Sequence, residues 1–423
     1  MRPAPRSAAV ISIVDPFTGD GGKPKVLAGL VRHLTDRLGT DHVHYVLIGG
    51  TAIRSDEVRT HHVPGPSTRE RLGGLLTRTV PGRAPMQEGL LWSPTVRRDL
   101  GDLLRRLDVD LQVYDTVRTG QLAPLGHPGL RVCYLDDLMS LRYRRMLDAV
   151  RRLPDVQVDA LGTFADQIPG PLRPVARNQA VQRLLMRVES GLSARSEVRA
   201  AREFDRCLLV SAREAETLTR TAGVAEGRVV ELPPSLPIRS AVARDVPAEP
   251  RFVFLGLLSA PHNDDGLTHL LREVWPAVLD RLPKARLQVV GRDPSPAARE
   301  LLARHADTVE LEGFVPDLDS VLARSTALLN VLRFGTGVKI KIIEALARGL
   351  PVLSTTLGAE GVRSGAGSGI VVADGPADLA AAAALLAEPE HNLRLSEEAG
   401  GHFRRRYAQD AVNETYDRAL GLV

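Results

Sequence analysis

Cysteines, aromatic residues and long apolar runs are all scarce in this 423-residue chain. Its two cysteines, Cys133 and Cys207, lie inside apolar, strand-like segments without the spacing of metal ligands, so we interpret them as small core residues in a reducing compartment. Aromatic residues make up 4% of the chain, which disfavours a surface that stacks the bases of single-stranded nucleic acid. No stretch of about 18 to 20 uncharged apolar residues occurs, so the sequence predicts no transmembrane helix. The apolar run Val10 to Val14 is too short for the core of a signal peptide, and we expect a cytoplasmic protein.

The remaining composition is that of a globular protein with more than one domain. Hydrophobic residues make up 43% of the chain and charged residues 25%. A chain of this length exceeds what one ordinary core accommodates, so two domains are expected. The formal net charge of +4 suits anionic substrates or an anionic membrane surface.

Strand-like segments alternate with amphipathic helical segments along the chain, which predicts parallel, doubly wound sheets. Residues from about Ser140 to Ala201 are helical in pattern and rich in arginine; we interpret them as solvated helix faces, with an acceptor-side or membrane-facing surface as the alternative. Repeated prolines without periodicity mark a linker at 233–250. We therefore expect domains at 1–232 and 251–405, followed by a helical segment at 406–423. The predicted strands are Ala9 to Val14, Val43 to Ile48, Leu111 to Tyr114, Val132 to Leu135, Arg206 to Val210 and Val229 to Leu232, then Phe252 to Leu255, Arg286 to Val290, Val309 to Leu311, Ala327 to Leu332, Pro351 to Ser354 and Gly369 to Val372.

The segment Leu332 to Ser354 has the pattern of a strand end, a glycine-rich turn, an amphipathic helix and a second strand. Gly335 and Gly337 allow a tight turn and a close approach of the backbone to a ligand. The helix predicted after them would direct its free N–H groups and its positive dipole end at that ligand. Lys339 and Lys341 lie in the first turn, where helices normally favour acidic residues, and they indicate a bound anion such as a diphosphate. Glycine-rich turns of this kind also occur without a ligand, and that alternative stays open.

Six motifs follow one another between Arg251 and Tyr407. They are Phe252-Val-Phe-Leu-Gly256, Pro261-His-Asn-Asp-Asp-Gly-Leu267, Leu282-Pro-Lys-Ala-Arg-Leu-Gln-Val-Val-Gly291, Leu311-Glu-Gly-Phe-Val-Pro-Asp317, Gly335-Thr-Gly-Val-Lys-Ile-Lys-Ile-Ile-Glu-Ala-Leu-Ala-Arg-Gly-Leu-Pro-Val352 and Thr356-Leu-Gly-Ala-Glu-Gly361. On these residues the second half resembles the retaining family 4 glycosyltransferases of the GT-B fold (glycosyl transferases group 1), in a branch with a Pro-Asn signature and a Gly-x-Gly-x-Lys-x-Lys turn. The first half is similar more loosely, through Gly21-Gly22, Tyr134 to Tyr143 and Cys207 to Ser211 with Glu214.

The resemblance implies an α/β protein of the GT-B class, in which two Rossmann-like, doubly wound domains face a central cleft. It implies that the domain 1–232 binds the acceptor and that the domain 251–405 binds a nucleotide-sugar donor. The segment 406–423 would return to brace the first domain. Enzymes that this chain resembles need no metal, so we expect no metal site and no cofactor beside the donor.

The resemblance also implies roles for residues of the glycine-rich turn and its helix. Glu344 takes the position of the family's second glutamate and would accept hydrogen bonds from the ribose diol, as a carboxylate can. A helical ion pair with Lys341 is the alternative. Lys339 and Lys341 would neutralise the diphosphate as it leaves, which makes Lys339 a candidate catalytic residue. The further candidate donor-binding residues are Gly21, Gly22, Gly256, His262, Phe314, Gly335, Thr336, Gly337 and Val338.

The chain departs from the family pattern at two places. Thr336 stands where the commoner pattern has its first glutamate, so that contacts to the donor sugar would come from Thr336 or from main-chain groups. The segment Gly256 to Asp265 contains neither arginine nor lysine, although many members carry a basic pair there. His262 is the one titratable nitrogen in this segment that could replace the pair.

Polar residues follow two predicted strands of the first half. Asp136 and Asp137 come at the carboxyl end of a strand, where doubly wound sheets place functional residues, and they are candidate catalytic groups that would polarise a hydroxyl. An N-cap of the next helix is the alternative. Asp115 and Arg118 follow another strand and are candidate acceptor-binding residues.

Two further polar pairs are predicted to lie at the surface. They are His61-His62, interpreted as a loop, and Asp264-Asp265, interpreted as an exposed cap.

The leading hypothesis is a transferase that moves a sugar from a UDP- or GDP-sugar to a hydroxyl group of a natural product, a glycan or a lipid-linked sugar, with retention of configuration. No nucleic-acid partner is expected, while peripheral membrane contact fits the net charge. The alternatives are a noncatalytic nucleotide-sugar-binding subunit and a nucleotide-sugar epimerase. The Ala- and Arg-rich composition is compatible with a high-GC bacterial source.

Overall fold

The computed structural model describes residues 3–18, 22–124, 126, 128–152, 179–235, 244–335 and 338–423. Its contacts divide the chain into two compact units. The first unit combines Met1–Leu141, Val188–Pro237 and Gln409–Val423, and the second combines Arg142–Arg187 and Ile238–Ala408. The described part of Arg142–Arg187, which the sequence interpretation placed in the first domain, belongs to the second unit.

The first unit contains a parallel sheet whose seven described strands have the order β3-β2-β1-β4-β5-β6-β7. The strands are β1 (Ala8–Ser12), β2 (Val43–Ile48), β3 (Arg59–Val63), β4 (Leu111–Asp115), β5 (Leu130–Asp136), β6 (Arg206–Leu209) and β7 (Val229–Glu231). Every residue of β1, β2 and β4 is buried, as expected for strands that helices cover on both faces.

Helices flank this sheet. They are α1 (Gly22–Leu38), α2 (Thr68–Gly74), α3 (Met86–Leu91), α4 (Pro94–Leu107), α5 (Thr116–Gly120), α6 (Met139–Arg152), α7 (Gln179–Glu203) and α8 (Ala212–Ala222), with a 3₁₀ turn at Thr40–His42 and a π-helical turn at Leu75–Thr79. The helix α1 buries the residues Val26, Leu27, Leu30, Val31 and Leu34, which recur at helical spacing along one face.

The second unit contains another parallel sheet, with the order β10-β9-β8-β11-β12-β13 among the described residues. Its strands are β8 (Arg251–Leu255), β9 (Arg286–Val290), β10 (Val309–Gly313), β11 (Ala327–Asn330), β12 (Val352–Ser354) and β13 (Ile370–Val372). The helices after α8 are α9 (Pro261–His269), α10 (Trp275–Arg281), α11 (Pro296–Arg304), α12 (Leu318–Ala323), α13 (Ile340–Ala347), α14 (Pro376–Leu386), α15 (Pro389–Arg406) and α16 (Gln409–Leu420), with a π-helical turn at Leu270–Val274. Phe252 and Trp275 are fully buried in the core and meet edge to face, with 6.3 Å between ring centroids.

The last helix, α16, belongs to the first unit, where it packs against α1. Asp417 accepts hydrogen bonds from Nε of Arg37 at 2.9 Å and lies 3.0 Å from Nε2 of His33. The hydroxyl of Tyr416 accepts a hydrogen bond from the backbone N–H of Ser235 at 3.0 Å. These contacts join the final segment of the chain to α1 and to Ser235.

The predicted fold class, two doubly wound parallel sheets in an α/β protein, is confirmed. The sequence interpretation missed β3, and the prediction that His61 and His62 lie in a loop was wrong, whereas the predicted surface position holds for His62, which is exposed. The reason is that β3 is an edge strand without an apolar alternation, which forms through its pairing with β2. Nδ1 of His44 lies 3.0 Å from Nε2 of His61. In the part of the chain that the structure describes, no helix is both long and apolar enough to cross a membrane.

Candidate active site

The first group of site residues surrounds Gly335, which follows β11 in the second sheet. We call the described residues 331–335 and 338–339, between β11 and α13, the Gly335 loop. Gly335 has φ of +137°, a backbone conformation that residues with a side chain rarely adopt. A Cβ placed on Gly335 would lie 3.7 Å from Cε of Lys339 and 3.9 Å from Cβ of His262. The loop therefore brings Lys339 and His262 together at the carboxyl end of the sheet, where doubly wound sheets bind ligands.

The helix after the loop, α13, begins at Ile340, with Lys339 as its N-cap residue. Lys339 is buried, and its side chain does not cap the helix. Val338 lies just before it and is half-buried. Thr336 and Gly337 lie outside the described residues, as does Gly21 of the first unit. A buried cation at a helix N-terminus has unfavourable interactions with the dipole, which a bound anion would relieve.

Lys341 lies in the first turn of α13 and points toward β8. Its Nζ donates hydrogen bonds of 2.9 Å to the carbonyl of Leu255 and to Oδ1 of Asn263, and it lies 5.1 Å from the centre of the Phe254 ring. Burial, followed by the charge of Lys339, lowers the pKa of Lys341 to about 7. Lys341 thus combines a structural bond to β8 with a charge that is only partly present at neutral pH.

His262 lies beside Gly335 and differs in charge from the arginine or lysine expected in the segment Gly256 to Asp265 from the family pattern. Burial lowers its pKa to about 3, and the charges of Lys341, Lys339 and Arg142 act in the same direction. The imidazole is therefore neutral at pH 7. The ring lies beside Gly335, but burial keeps it uncharged. His262 therefore does not supply the positive charge that was expected of it in place of an arginine or lysine pair.

Two arginines of α6 lie near this group, and the sequence interpretation assigned both to solvated helix faces. Nη1 of Arg145 donates to the carbonyl of Gly335 at 3.4 Å, and Nη2 of Arg145 donates to Oε1 of Glu360. Arg142 acts electrostatically on His262. The only signal in the sequence was the spacing of three residues between them, which places both on one helix face.

Other predicted donor-binding residues lie around the ends of β8, β10 and α13. Gly256 directly follows β8, and a Cβ there would lie 2.8 Å from the Asn263 side chain, which would have to shift. Phe314 directly follows β10; it is 52% exposed, with the guanidinium carbon of Arg292 at 5.3 Å from its ring centre. Glu344 is buried in the second turn of α13, and its carbonyl accepts a hydrogen bond from Arg348 at 2.8 Å.

The prediction that Asp264 and Asp265 form an exposed pair was wrong. Asp265 is 10% exposed and binds Arg333 through two hydrogen bonds, with 3.0 Å to Nε and 2.5 Å to Nη2. Asp264 accepts a hydrogen bond from the backbone N–H of Ser295 at 3.0 Å. Both carboxylates therefore hold α9 to neighbouring segments of the second unit.

The second group of site residues lies at the carboxyl ends of β4 and β5 in the first unit. Nζ of Lys23, in the first turn of α1, lies 2.6 Å from Oδ1 of Asp115 and 3.4 Å from Oδ2 of Asp136. We call these three residues the Lys23 cluster. Burial lowers the pKa of Lys23, but the two carboxylates outweigh burial and leave that pKa raised, so the lysine stays charged. The hydroxyl of Ser12 donates to Oδ2 of Asp115 at 2.7 Å.

The backbone is strained at two residues of this edge. Thr116, which directly follows β4, has φ of +66°, and Asp136, the last residue of β5, has φ of +71°. Positive φ is unfavourable for residues other than glycine, above all for a β-branched threonine, and such strain concentrates at functional sites. Arg118 lies close by, because its Nε donates to the Thr116 hydroxyl at 3.2 Å.

The two adjacent aspartates have different surroundings. The Asp136 side chain is 31% exposed and accepts a hydrogen bond from the Tyr134 hydroxyl at 3.4 Å. Asp137 is buried, and its charge contributes, after burial, to raising the pKa of Glu197 to about 7. The structure therefore brings Asp115, Arg118 and Asp136 together with Lys23. Sequence reasoning missed Lys23, although its position one residue after Gly22 at a helix start was a usable signal.

Within the described residues, no group of three or more His, Cys, Asp or Glu side chains could hold a metal ion. The charges of both site groups come from protein side chains.

In comparisons with known proteins, the match to a protein family falls within the second unit. Residues 249–388 match the model of the family Glycosyl transferases group 1. A stretch of 128 residues is 27% identical to an "Uncharacterized 44.6 kDa protein in cps region" of Klebsiella pneumoniae. That match covers 29% of this chain and spans 33% of the length of the relative.

Solved structures resemble the whole chain. The sucrose-phosphate synthase of Thermosynechococcus elongatus has a TM-score of 0.63 at 15% identity and covers 97% of this chain and 96% of its own. The HepE protein of Anabaena in complex with UDP-glucose has a TM-score of 0.63 at 12% identity, over 99% and 100% of the two chains. WaaG, a glycosyltransferase involved in lipopolysaccharide biosynthesis, has a TM-score of 0.57 at 14% identity, over 98% and 100%. At such low identity these likenesses show the fold, which is the predicted GT-B class.

Proposed function

We propose that the protein is a glycosyltransferase that moves a sugar from a nucleoside-diphosphate donor to a hydroxyl acceptor with retention of configuration. The observation that carries the proposal is the Gly335 loop, where buried Lys339 meets a glycine with φ of +137° at the start of a helix. The loop lies in the segment that matches Glycosyl transferases group 1. A UDP-glucose complex is known for the Anabaena neighbour, which supports a UDP-sugar as the donor.

In this proposal the second unit binds the donor. The diphosphate lies above Gly335, where the backbone can approach it closely, and Lys339 provides positive charge. Glu344 accepts hydrogen bonds from the ribose hydroxyls, because an ionised carboxylate is an acceptor for both groups of a diol. Phe314 and Arg292 offer a flat, exposed surface after β10 that suits a base.

The chemistry follows from where charge develops. As the bond between the anomeric carbon and the β-phosphate oxygen breaks, negative charge builds on the diphosphate and positive charge on the sugar ring. Lys339 stabilises the diphosphate more in the transition state than in the ground state, which raises the rate. The acceptor oxygen forms the new bond on the face that the diphosphate leaves. A phosphate oxygen takes the acceptor proton, so atoms and charges balance and the configuration is retained.

In the first unit, the Lys23 cluster is proposed as the acceptor-side site. The partly exposed carboxylate of Asp136 accepts a hydrogen bond from an acceptor hydroxyl, while Lys23 and Asp115 fix its position. A noncatalytic donor-binding subunit is the second candidate, because Thr336 replaces the glutamate of the commoner pattern. A cytoplasmic location in a bacterium remains a prediction from sequence.

The test is incubation of the purified protein with UDP- and GDP-sugars, with and without a panel of hydroxyl acceptors, and detection of nucleotide release and product by mass spectrometry. Mass spectrometry of any donor that co-purifies fixes base and sugar together. The proposal expects binding of one donor class and transfer or slow hydrolysis. Tight donor binding with neither reaction supports the noncatalytic subunit, and the absence of binding to every nucleotide sugar contradicts both.

A further inference from the structure

The positive charge around the Gly335 loop does not come from the loop alone. The segment Gly256 to Asp265 supplies no arginine or lysine. His262 is neutral because burial keeps its pKa at about 3. Lys341 has two protein oxygens as hydrogen-bond partners, Leu255 O and Asn263 Oδ1. A diphosphate carries about two negative charges at neutral pH, which makes a further cation at this loop chemically useful.

Arg145 lies where such a cation is needed, next to the Gly335 loop. Its side chain is 17% exposed and lies against the loop, with Nη1 at 3.4 Å from the Gly335 carbonyl oxygen. Nη2 of the same group forms an ion pair with Glu360, which is 20% exposed and follows β12 in the second unit. An arginine presents several donors in a rigid fork that matches phosphate oxygens, so one guanidinium can hold the loop and bind an anion.

We infer that Arg145 binds the diphosphate of the donor and that the diphosphate competes with Glu360 for the Arg145 guanidinium. The inference rests on the proposed function, since it names the partner of a nucleoside-diphosphate site. It assigns a ligand-binding role to α6, whose arginines had the pattern of a solvated face. Arg142, one turn earlier on α6, adds a second positive charge in the vicinity of His262.

If the diphosphate and Glu360 compete for Arg145, replacing Arg145 and replacing Glu360 should change the affinity for the diphosphate in opposite directions. Replacing Arg145 removes donors from the diphosphate and weakens binding. Replacing Glu360 by its amide removes the competing carboxylate charge, so the guanidinium turns to the diphosphate at lower cost and binding tightens. A purely structural ion pair behaves differently, because removal of either partner then loosens the same contact and shifts binding, if at all, in the same direction.

The experiment measures the dissociation constants of UDP, GDP and inorganic pyrophosphate by isothermal titration calorimetry for the wild type and for Arg145→Gln, Glu360→Gln and the double variant. We expect Arg145→Gln to weaken binding of the tightest of these ligands about tenfold. We expect Glu360→Gln to tighten it about threefold or more, and the double variant to bind like Arg145→Gln. Pyrophosphate should follow the same order as the nucleotides, since the contact is to the diphosphate.

The control is Arg151→Gln, an identical change on the same helix. Arg151 pairs with Asp148 at 3.7 Å, and both side chains are more than half exposed, 57% and 55%. Its replacement changes the net charge equally and should leave each dissociation constant unchanged within about twofold. If Arg145→Gln does not fold, Arg145→Lys keeps the charge and loses the fork, and an intermediate loss of affinity is expected.

Three results overturn the inference. Binding by Arg145→Gln equal to that of the wild type removes Arg145 from the site. Weaker binding by Glu360→Gln marks the pair as structural. If Glu360→Gln raises the affinity equally in the wild type and in Arg145→Gln, Glu360 acts on the diphosphate by charge repulsion and does not compete for Arg145. In all three cases the protein still binds a nucleoside diphosphate, so the proposed function stands; a wild type that binds none of the three ligands contradicts the proposed function itself.

Discussion

The ammonium of Lys341 and the amide oxygen of Asn263 are joined by a hydrogen bond of 2.9 Å. This bond connects the first turn of α13 to the first turn of α9, and the second bond of Lys341, to Leu255 O, connects both to the end of β8. Two lysines that look equivalent in the sequence therefore differ. Lys341 holds secondary structure elements together, while Lys339 lies at the glycine-rich loop itself.

The two lysines should respond differently to replacement. Lys341→Met leaves Leu255 O and Asn263 Oδ1 without this donor, so the free energy of unfolding should fall by about 1–3 kcal/mol. Lys339→Met should lower the maximal rate at saturating donor together with donor affinity, because its charge acts on the leaving group. Urea denaturation and steady-state kinetics measure the two effects. If the double Met variant keeps the wild-type maximal rate, neither lysine stabilises the leaving diphosphate.

Donor binding should depend on pH through Lys341. Its pKa in the folded protein is about 7, and a bound diphosphate favours the ammonium form. Affinity for a UDP-sugar, whose diphosphate does not titrate in this range, should therefore fall as pH rises above about 7, with proton uptake on binding. Calorimetry at pH 6.5 to 9 in buffers of different ionisation enthalpy measures both. Lys341→Arg should make affinity flat with pH; a wild type without proton uptake at pH 8 contradicts the prediction.

The same shift predicts how stability changes. The pKa of Lys341 is lowered relative to 10.5, so between about pH 7 and 10.5 the unfolded chain binds the proton more tightly than the folded protein does. The contribution of Lys341 to the free energy of unfolding should therefore rise with pH across this window and be constant below it. The difference between the wild type and Lys341→Met, measured by denaturation at several pH values, isolates this contribution.

Glu344→Gln should weaken donor binding at least about tenfold with little change in melting temperature, because charge-assisted hydrogen bonds to ribose contribute roughly 1.5–3 kcal/mol. Titration with the UDP-sugar and with its 2′,3′-dideoxy analogue tests the contact directly. The wild type should discriminate between the two ligands, and the variant should not. Equal affinity of wild type and variant for the complete donor excludes Glu344 from ribose binding.

Substitutions in the Lys23 cluster should separate an effect on stability from an effect on sugar transfer. Lys23→Met removes the cation beside Asp115, which is 1% exposed, and should cost about 3–5 kcal/mol of unfolding free energy; Asp115→Asn in the same chain should restore part of it. Asp136→Asn should lower stability less than Lys23→Met, because Asp115 still pairs with Lys23 and asparagine tolerates the positive φ of this position. We expect Asp136→Asn to lower transfer to acceptor while donor affinity stays constant. Wild-type transfer by this variant would remove Asp136 from the acceptor side.

Local patterns predicted the elements that depend on local chemistry. The strands Val43–Ile48 and Arg286–Val290 occur at the predicted bounds, because short, mostly apolar runs rich in valine specify them. The strand Arg59–Val63 was missed, since its side chains carry no alternation and pairing with a neighbour forms it. The helical residues after Pro261 include the π-helical turn Leu270–Val274, just before Trp275-Pro276.

By itself, the sequence determined that two doubly wound sheets form and that a glycine-rich turn with lysines begins a helix after one of their strands. Those features follow from residue spacing and backbone preferences, which are properties of neighbours in the chain. Only the tertiary structure decided that Lys341 is hydrogen-bonded to Asn263, that His262 is neutral, that Lys23 lies between Asp115 and Asp136, and that Arg145 contacts Gly335. Charge state and contact depend on burial and on partners far apart in the sequence, so the electrostatics of a site emerge only when the chain has folded.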